Sequence, residues 1–213
     1  MSMGRALKAA LADFYRQSWR LVLLNSAFSI AALAVVLASF YSPFALVLIV
    51  FLGPLALALM HCTVTLAQTE ELSLEDGLEG LRLHWKRGLA LGAMTAAVLG
   101  LGAFAIAFYA GRGPFVFPLA VVVFYLLAFF ALFQMWLWPL AVLERERPFG
   151  EVMRDAARGL VVHPLASVGL ALALFVVNAL AAAAAILPLL TLSIAFTFLA
   201  AAHFVLPPRS REG

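Results

Sequence analysis

The 213-residue chain is 65% apolar and 12% charged, with a mean hydropathy of +1.06; soluble domains run about 45–50% apolar and about 25% charged. So little charge cannot cover the surface of a water-soluble body this size, which excludes a soluble enzyme, a disordered chain and a nucleic-acid-binding domain. A net charge of +3 is too small for a phosphate-tracking surface, and one cysteine, Cys62, excludes a disulfide framework or a multi-cysteine metal site.

A spanning helix needs about 20 mainly apolar residues. In chain order, Leu21–Phe40, Pro43–Leu66, Gly88–Tyr109, Pro114–Leu143, Leu165–Ile186 and Pro188–Leu206 qualify, and none contains Asp, Glu, Lys or Arg. The first follows a basic segment, but it exceeds the roughly 7–15-residue apolar core of a signal peptide and reads as an uncleaved start-transfer helix. The fourth is long enough to tilt or project past the headgroups. It carries Phe115, Phe117, Phe124, Phe129, Phe130 and Phe133, bulk suited to a lipid-facing helix, and Trp136 and Trp138 near its inner end read as an interfacial belt.

Basic residues set the orientation. Arg5, Lys8, Arg16 and Arg20 precede the first span, and Arg82, Lys86 and Arg87 lie between the second and third. Arg145, Arg147, Arg154 and Arg158 lie between the fourth and fifth, and Arg209 and Arg211 follow the sixth; Arg112 alone falls on the other side. The positive-inside rule then puts both termini in the cytoplasm. An odd number of spans would destroy this segregation. The expected fold is all-α: one polytopic membrane domain over 1–213, with six spans as three hairpins.

The layout also has a period. Each hairpin turns at a proline (Pro43, Pro114, Pro188) and follows a helical cytoplasmic segment, which divides the chain into units 5–66, 73–143 and 148–206. The segments share an acid, a basic residue three on and a large apolar residue three further: Asp13-Arg16-Trp19, Glu79-Arg82-Trp85 and Asp155-Arg158-Val161. On a helix the acid and arginine are neighbours, and such a helix lies along the headgroups with its arginines toward anionic lipid. Any interfacial helix can carry such pairs, so the period is an expectation. Arg16, Trp19, Arg82, Trp85, Lys86 and Arg158 are the candidate docking or interfacial residues. Arg82, Trp85 and Lys86 fall within one turn and mark the strongest docking surface.

Gly88, Gly92, Ala96 and Gly100 recur every four residues. Such a stripe lets another backbone approach closely in a membrane, within the bundle or, alternatively, in a homo-oligomer or against a partner helix.

No catalytic or phosphate-binding motif appears, so no enzyme activity and no cofactor is expected. Intramembrane acids, the usual marks of coupled transport, are missing too. The polar groups within the spans are few: Asn25, His61, Gln134, Asn178 and His203. They form either a polar cavity open to the cytoplasm or a set of interhelical hydrogen bonds. A bis-histidine haem site of His61 and His203 is a weaker reading, since two histidines at one depth are little evidence. His84 and His163 read as solvated groups at the inner interface.

Several segments resemble the YesL-like family of small bacterial membrane proteins, a domain of unknown function. They are Trp19-Arg-Leu-Val-Leu-Leu-Asn25, Gly53-Pro54, Gly80-Leu-Arg-Leu-His-Trp-Lys86-Arg87-Gly88, Trp136-Leu-Trp-Pro139, and Met153-Arg-Asp-Ala-Ala-Arg158 leading to His163-Pro164. One departure is that an asparagine is common in that family where Arg158-Gly159 or His163 stand here. The resemblance implies an accessory role beside a sugar-uptake ABC transporter. The expected function is therefore a non-catalytic partner of a membrane transporter such as an ABC permease. The alternative is a small permease with a substrate path between the hairpins.

Overall fold

A computed structural model describes residues 3–42, 47–113, 115–184 and 192–206, and no strand occurs among them. The expected turns at Pro43, Pro114 and Pro188 and the basic Arg209 and Arg211 lie outside the described residues.

The chain opens with an amphipathic helix, α1 (Met3–Arg16), which buries Ala6, Ala10 and Asp13, one line at spacings of four and three. After Gln17 it continues as α2 (Ser18–Tyr41). The next helix, α3 (Ile49–Thr69), has Pro54 inside it and ends where Glu70 takes a left-handed conformation at φ 62°. Helix α4 (Glu75–Ala110) is 36 residues long, about 54 Å at 1.5 Å per residue. At its start the Ser73 amide donates to Asp76 Oδ2 at 2.7 Å and the Glu75 amide to Ser73 Oγ at 3.2 Å. These bonds satisfy amides that a helix start leaves open, while Glu75 and Asp76 suit its positive end. The cytoplasmic segment expected before the third span is thus the first third of one continuous helix.

Helix α5 (Phe117–Leu143) has Pro118 in its first turn and carries Pro139 near its end. Helix α6 (Phe149–Val162) is amphipathic and buries Val152, Ala156 and Leu160. His163 breaks from helical geometry, as a residue before proline tends to, and α7 (Pro164–Ala184) follows. The last described helix, α8 (Ile194–Val205), has 12 residues, about 18 Å. Among the described residues, five helices have the length and apolarity to cross a membrane: α2, α3, α4, α5 and α7. The chain is thus an all-helical membrane protein with several spanning-length helices. The sixth expected span corresponds to α8 together with residues outside the description.

Helix α3 is the hub. In its most apolar stretch 61% is buried inside the protein, against 17% in α2 and 6% in α5. It packs most extensively on α4, and also against α8, α2 and α5. Glycine sets the α3–α4 contact. A Cβ on Gly53 would fall on the Gly88 carbonyl oxygen and lie 2.7 Å from Gly92 Cα, and one on Gly88 would lie 2.5 Å from Pro54 Cα. Backbones meet there with no room for a side chain.

This contact corrects the expected register of the second and third spans. Their inner ends, Leu66 and Gly88, were expected at one membrane face, but Gly88 lies against Pro54, about 18 Å along α3 from Leu66. The polar first third of α4 therefore covers the C-terminal half of α3. Gly80 sits against His61, and Gly77 lies near Leu24 and Cys62. Register follows from close packing, which the ends of apolar runs do not record.

Candidate functional site

The five polar residues, read from sequence either as a cavity or as interhelical hydrogen bonds, lie in separate surroundings. Asn25 is buried on α2 in line with Leu21 and Ser29. His61 Nδ1 and His84 Nε2 lie 3.3 Å apart, joining α3 to α4. Gln134 Nε2 donates to Thr95 Oγ1 at 2.5 Å, tying α5 to α4. Asn178 Nδ2 donates to Thr197 Oγ1 at 3.0 Å and to the Leu174 carbonyl at 2.8 Å, tying α7 to α8. His203 Nε2 meets Asp13 Oδ2 at 2.9 Å, with both side chains at most 10% exposed. Four of the five thus sit in separate interhelical pairs, and neutral ones such as Gln134–Thr95 and Asn178–Thr197 are worth about 0.6 kcal/mol each on average in membrane proteins. His61 and His203 are engaged with different partners, so they do not form a facing pair of haem ligands. His84, expected to be solvated, is buried against His61.

A cavity among the described residues is apolar. About 340 Å³ in volume, it is lined by α2, α3 and the start of α4, and none of the five polar residues lines it.

Trp136 also departs from expectation. It is buried, donates from Nε1 to Ser167 Oγ at 2.9 Å, stacks on His163 and meets Phe204 edge-on. A Cβ on Gly159 would collide with its ring at 2.5 Å. The tryptophan therefore anchors α6, α7 and α8 to α5. Trp138 stacks on Phe198, whereas Phe117, Phe124 and Phe129 stay exposed, as a lipid-facing surface requires. Along the glycine stripe, Gly88 and Gly92 touch α3 backbone, Ala96 is half-buried, and a Cβ on Gly100 would meet nothing within 4 Å. The packing face ends before Gly100.

The charges outside the apolar helical runs divide into committed and uncommitted groups. Arg87 donates to the carbonyls of Ala141, Glu144 and Arg147 at 3.0, 2.9 and 2.5 Å. It thereby closes acceptors left open at the end of α5 and suits the negative pole there. Arg20 donates to the Leu72 carbonyl and Arg16 pairs with Glu70, so α1 and α2 hold the α3–α4 connection. Arg147 bridges Glu144, Glu151 and Asp155, and Arg158 pairs with Asp155 at 3.0 Å. Hydrogen bonding to Arg147 holds the Asp155 carboxyl below its usual range.

The three repeat positions are therefore not equivalent. Arg158 bonds its own acid, Arg16 bonds Glu70, and Asp13 turns inward to His203. Arg82 and Lys86 are exposed and make no ion pair or hydrogen bond among the described residues, and Trp85 is 42% exposed between them. They flank and oppose the buried line Gly80-His84-Gly88, which turns them outward.

Sequence reasoning missed Asp13, His84, Arg87 and Arg20 as packing residues. Only Asp13 carried a signal, its place on the small-residue line of α1. Compared with known proteins, the chain matches no family model, no curated protein and no solved structure.

Proposed function

We propose that the protein is a non-catalytic accessory or regulatory partner of a membrane transporter in a bacterial cytoplasmic membrane. The observation that carries the reading is the contrast among cytoplasmic cations. Arg16, Arg87, Arg147 and Arg158 are spent on internal contacts and Lys8 and Arg154 are exposed cations, while Arg82, Trp85 and Lys86 combine into an outward cationic and aromatic face. Arginine and tryptophan are the side chains on which binding energy concentrates, and the charge suits an acidic cytoplasmic segment of the partner. Pairwise use of the polar groups within the helices supports a partner role over a polar substrate path. The YesL-like resemblance directs the choice of partner to a carbohydrate-uptake ABC permease.

The proposed orientation has six spans, with α8 in the last and both termini inside. Single-cysteine labelling, with Cys62 replaced, should find positions beside Arg82, Arg154 and Arg209 reachable only from the cytoplasm and one beside Arg112 only from outside. Labelling beside Arg82 and Arg112 from one side would sink this topology.

Docking is tested by replacing Arg16, Arg82 and Arg158 singly with alanine and measuring recovery of the permease, identified by mass spectrometry, at constant membrane level. Arg82→Ala should cut recovery about tenfold, the loss of roughly 1.4 kcal/mol, and the other two about twofold or less. Equal small losses at all three would instead assign the face to anchoring on anionic lipid, at about 1 kcal/mol per cation.

A further inference from the structure

The apolar cavity has a construction that its volume alone does not convey. Its lining is Leu24, Ala27, Phe28 and Ala31 of α2, then Leu55, Ala58, Leu59 and Cys62 of α3, with Leu74, Gly77, Leu78 and Leu81 along the start of α4. Each set runs at i, i+3, i+4 and i+7, so three helices each turn one continuous stripe inward. Small residues hollow it: Ala27, Ala31, Ala58, Cys62 and Gly77. A volume of about 340 Å³ falls within the range of pockets that hold small ligands, about 300–1,000 Å³, yet no lining side chain carries a charge.

Depth and charge identify what fits. Arg20 is the last cation before the apolar run of α2 and stands one turn before Leu24. The groove thus runs from about 6 to about 16 Å beyond that charge along α2 at 1.5 Å per residue, long enough to seat part of an acyl chain, and the α4 charges Glu75, Asp76 and Glu79 stay out of its lining. At the mouth, Arg20 bonds the Leu72 carbonyl two residues before Leu74, and its guanidinium lies 5.2 Å from the Trp19 ring. Both of its hydrogen bonds use Nη1, leaving Nη2 and Nε as donors, and guanidinium is suited to phosphate oxygens.

We propose that the α2–α3–α4 groove is a phospholipid site, with one acyl chain along the three stripes and the phosphate at Arg20. The lipid fills a space that side chains leave open and seals α2 to the α3–α4 pair. The phosphate contact falls to Arg20 alone, because Arg16, one turn earlier, is already paired with Glu70; phosphatidylglycerol serves as the probe.

The test reconstitutes the full chain in phosphatidylethanolamine vesicles containing a small fraction of phosphatidylglycerol with a photoactivatable diazirine acyl chain. Crosslinks are mapped by mass spectrometry, and lipid retained after detergent exchange is quantified. Crosslinks should concentrate on the lining residues of α2, α3 and α4, with about one phospholipid retained per chain. Ala27→Phe, at an exposed lining position, should lower retention about tenfold, and Arg20→Gln about fivefold, the loss of one interfacial cation contact. Val122→Phe, on the exposed face of α5, should change nothing and reports on the fold. Crosslinks spread evenly over the exposed faces of α5 and α7, with no retained lipid, would overturn the site. So would retention unchanged by Ala27→Phe, or a second protein chain crosslinked through the lining residues. Equal retention of a diazirine fatty acid lacking a phosphate would overturn the headgroup assignment.

Discussion

Gly92→Leu should destabilise the protein in detergent by more than about 3 kcal/mol, or prevent it from accumulating folded in the membrane. A Cβ at this position meets the Val50 carbonyl oxygen and lies 3.0 Å from Gly53 Cα. Overpacking of side chains costs about 1–3 kcal/mol because neighbouring rotamers can shift, but here the obstacle is the backbone of a helix held between others. Relief requires α3 and α4 to separate, and with them the pairs His61–His84 and Gly80–His61. The control is Gly100→Leu, two turns further along the same sequence stripe, where a Cβ meets nothing within 4 Å. It should stay within about 0.5 kcal/mol of the parent. Thermal unfolding followed by size-exclusion fluorescence separates the two. Similar melting temperatures would show that the α3–α4 approach does not hold the bundle together.

The same contact shows how far the sequence could be read. Spanning length was legible because a run without ionisable groups over about 20 residues has few other uses. The lipid-facing bulk of α5 was legible for the same reason. Register was not, because Gly88 and Gly92 announce a close approach without naming Gly53-Pro54 as the surface approached. The polar residues were legible as a set with depths along their helices, but a hydrogen bond depends on which helices are neighbours. Depth alone therefore left Asn25, His61, Gln134, Asn178 and His203 open to one cavity or to interhelical hydrogen bonds, and the fold puts the last four in separate pairs. Arg82, Trp85 and Lys86 were legible as an outward face because the glycines that bury the other side of α4 stand beside them in the sequence.

Asp13→Ala should cost about 3–5 kcal/mol, the range for breaking one partner out of a buried ion pair, although its i+3 spacing to Arg16 marks it as half of an exposed one. Asp13 is 5% exposed and meets His203, a residue 190 positions away. Arg16 instead reaches Glu70 with its side chain 58% exposed, a setting in which pairs contribute about 0–1 kcal/mol. Arg16→Ala should therefore be nearly silent in thermal unfolding, whereas Asp13→Ala should release α1 from α8. Phe14 against Phe196, and the seating of Met3 on Gly169, would loosen with it. Limited proteolysis within α1 reads that release directly, because a docked helix resists cleavage. Asp13→Asn separates the two contributions of the carboxylate. It keeps an oxygen able to accept from the imidazole N–H but removes the charge, so retention of most of the stability would assign the contact to hydrogen bonding. A loss equal to that of alanine would assign it to an ionic pair with protonated His203. Equal, small effects of Asp13→Ala and Arg16→Ala on melting and on cleavage would mean that α1 is held by its alanine line alone, and that the buried pair does not fasten the two ends of the described chain.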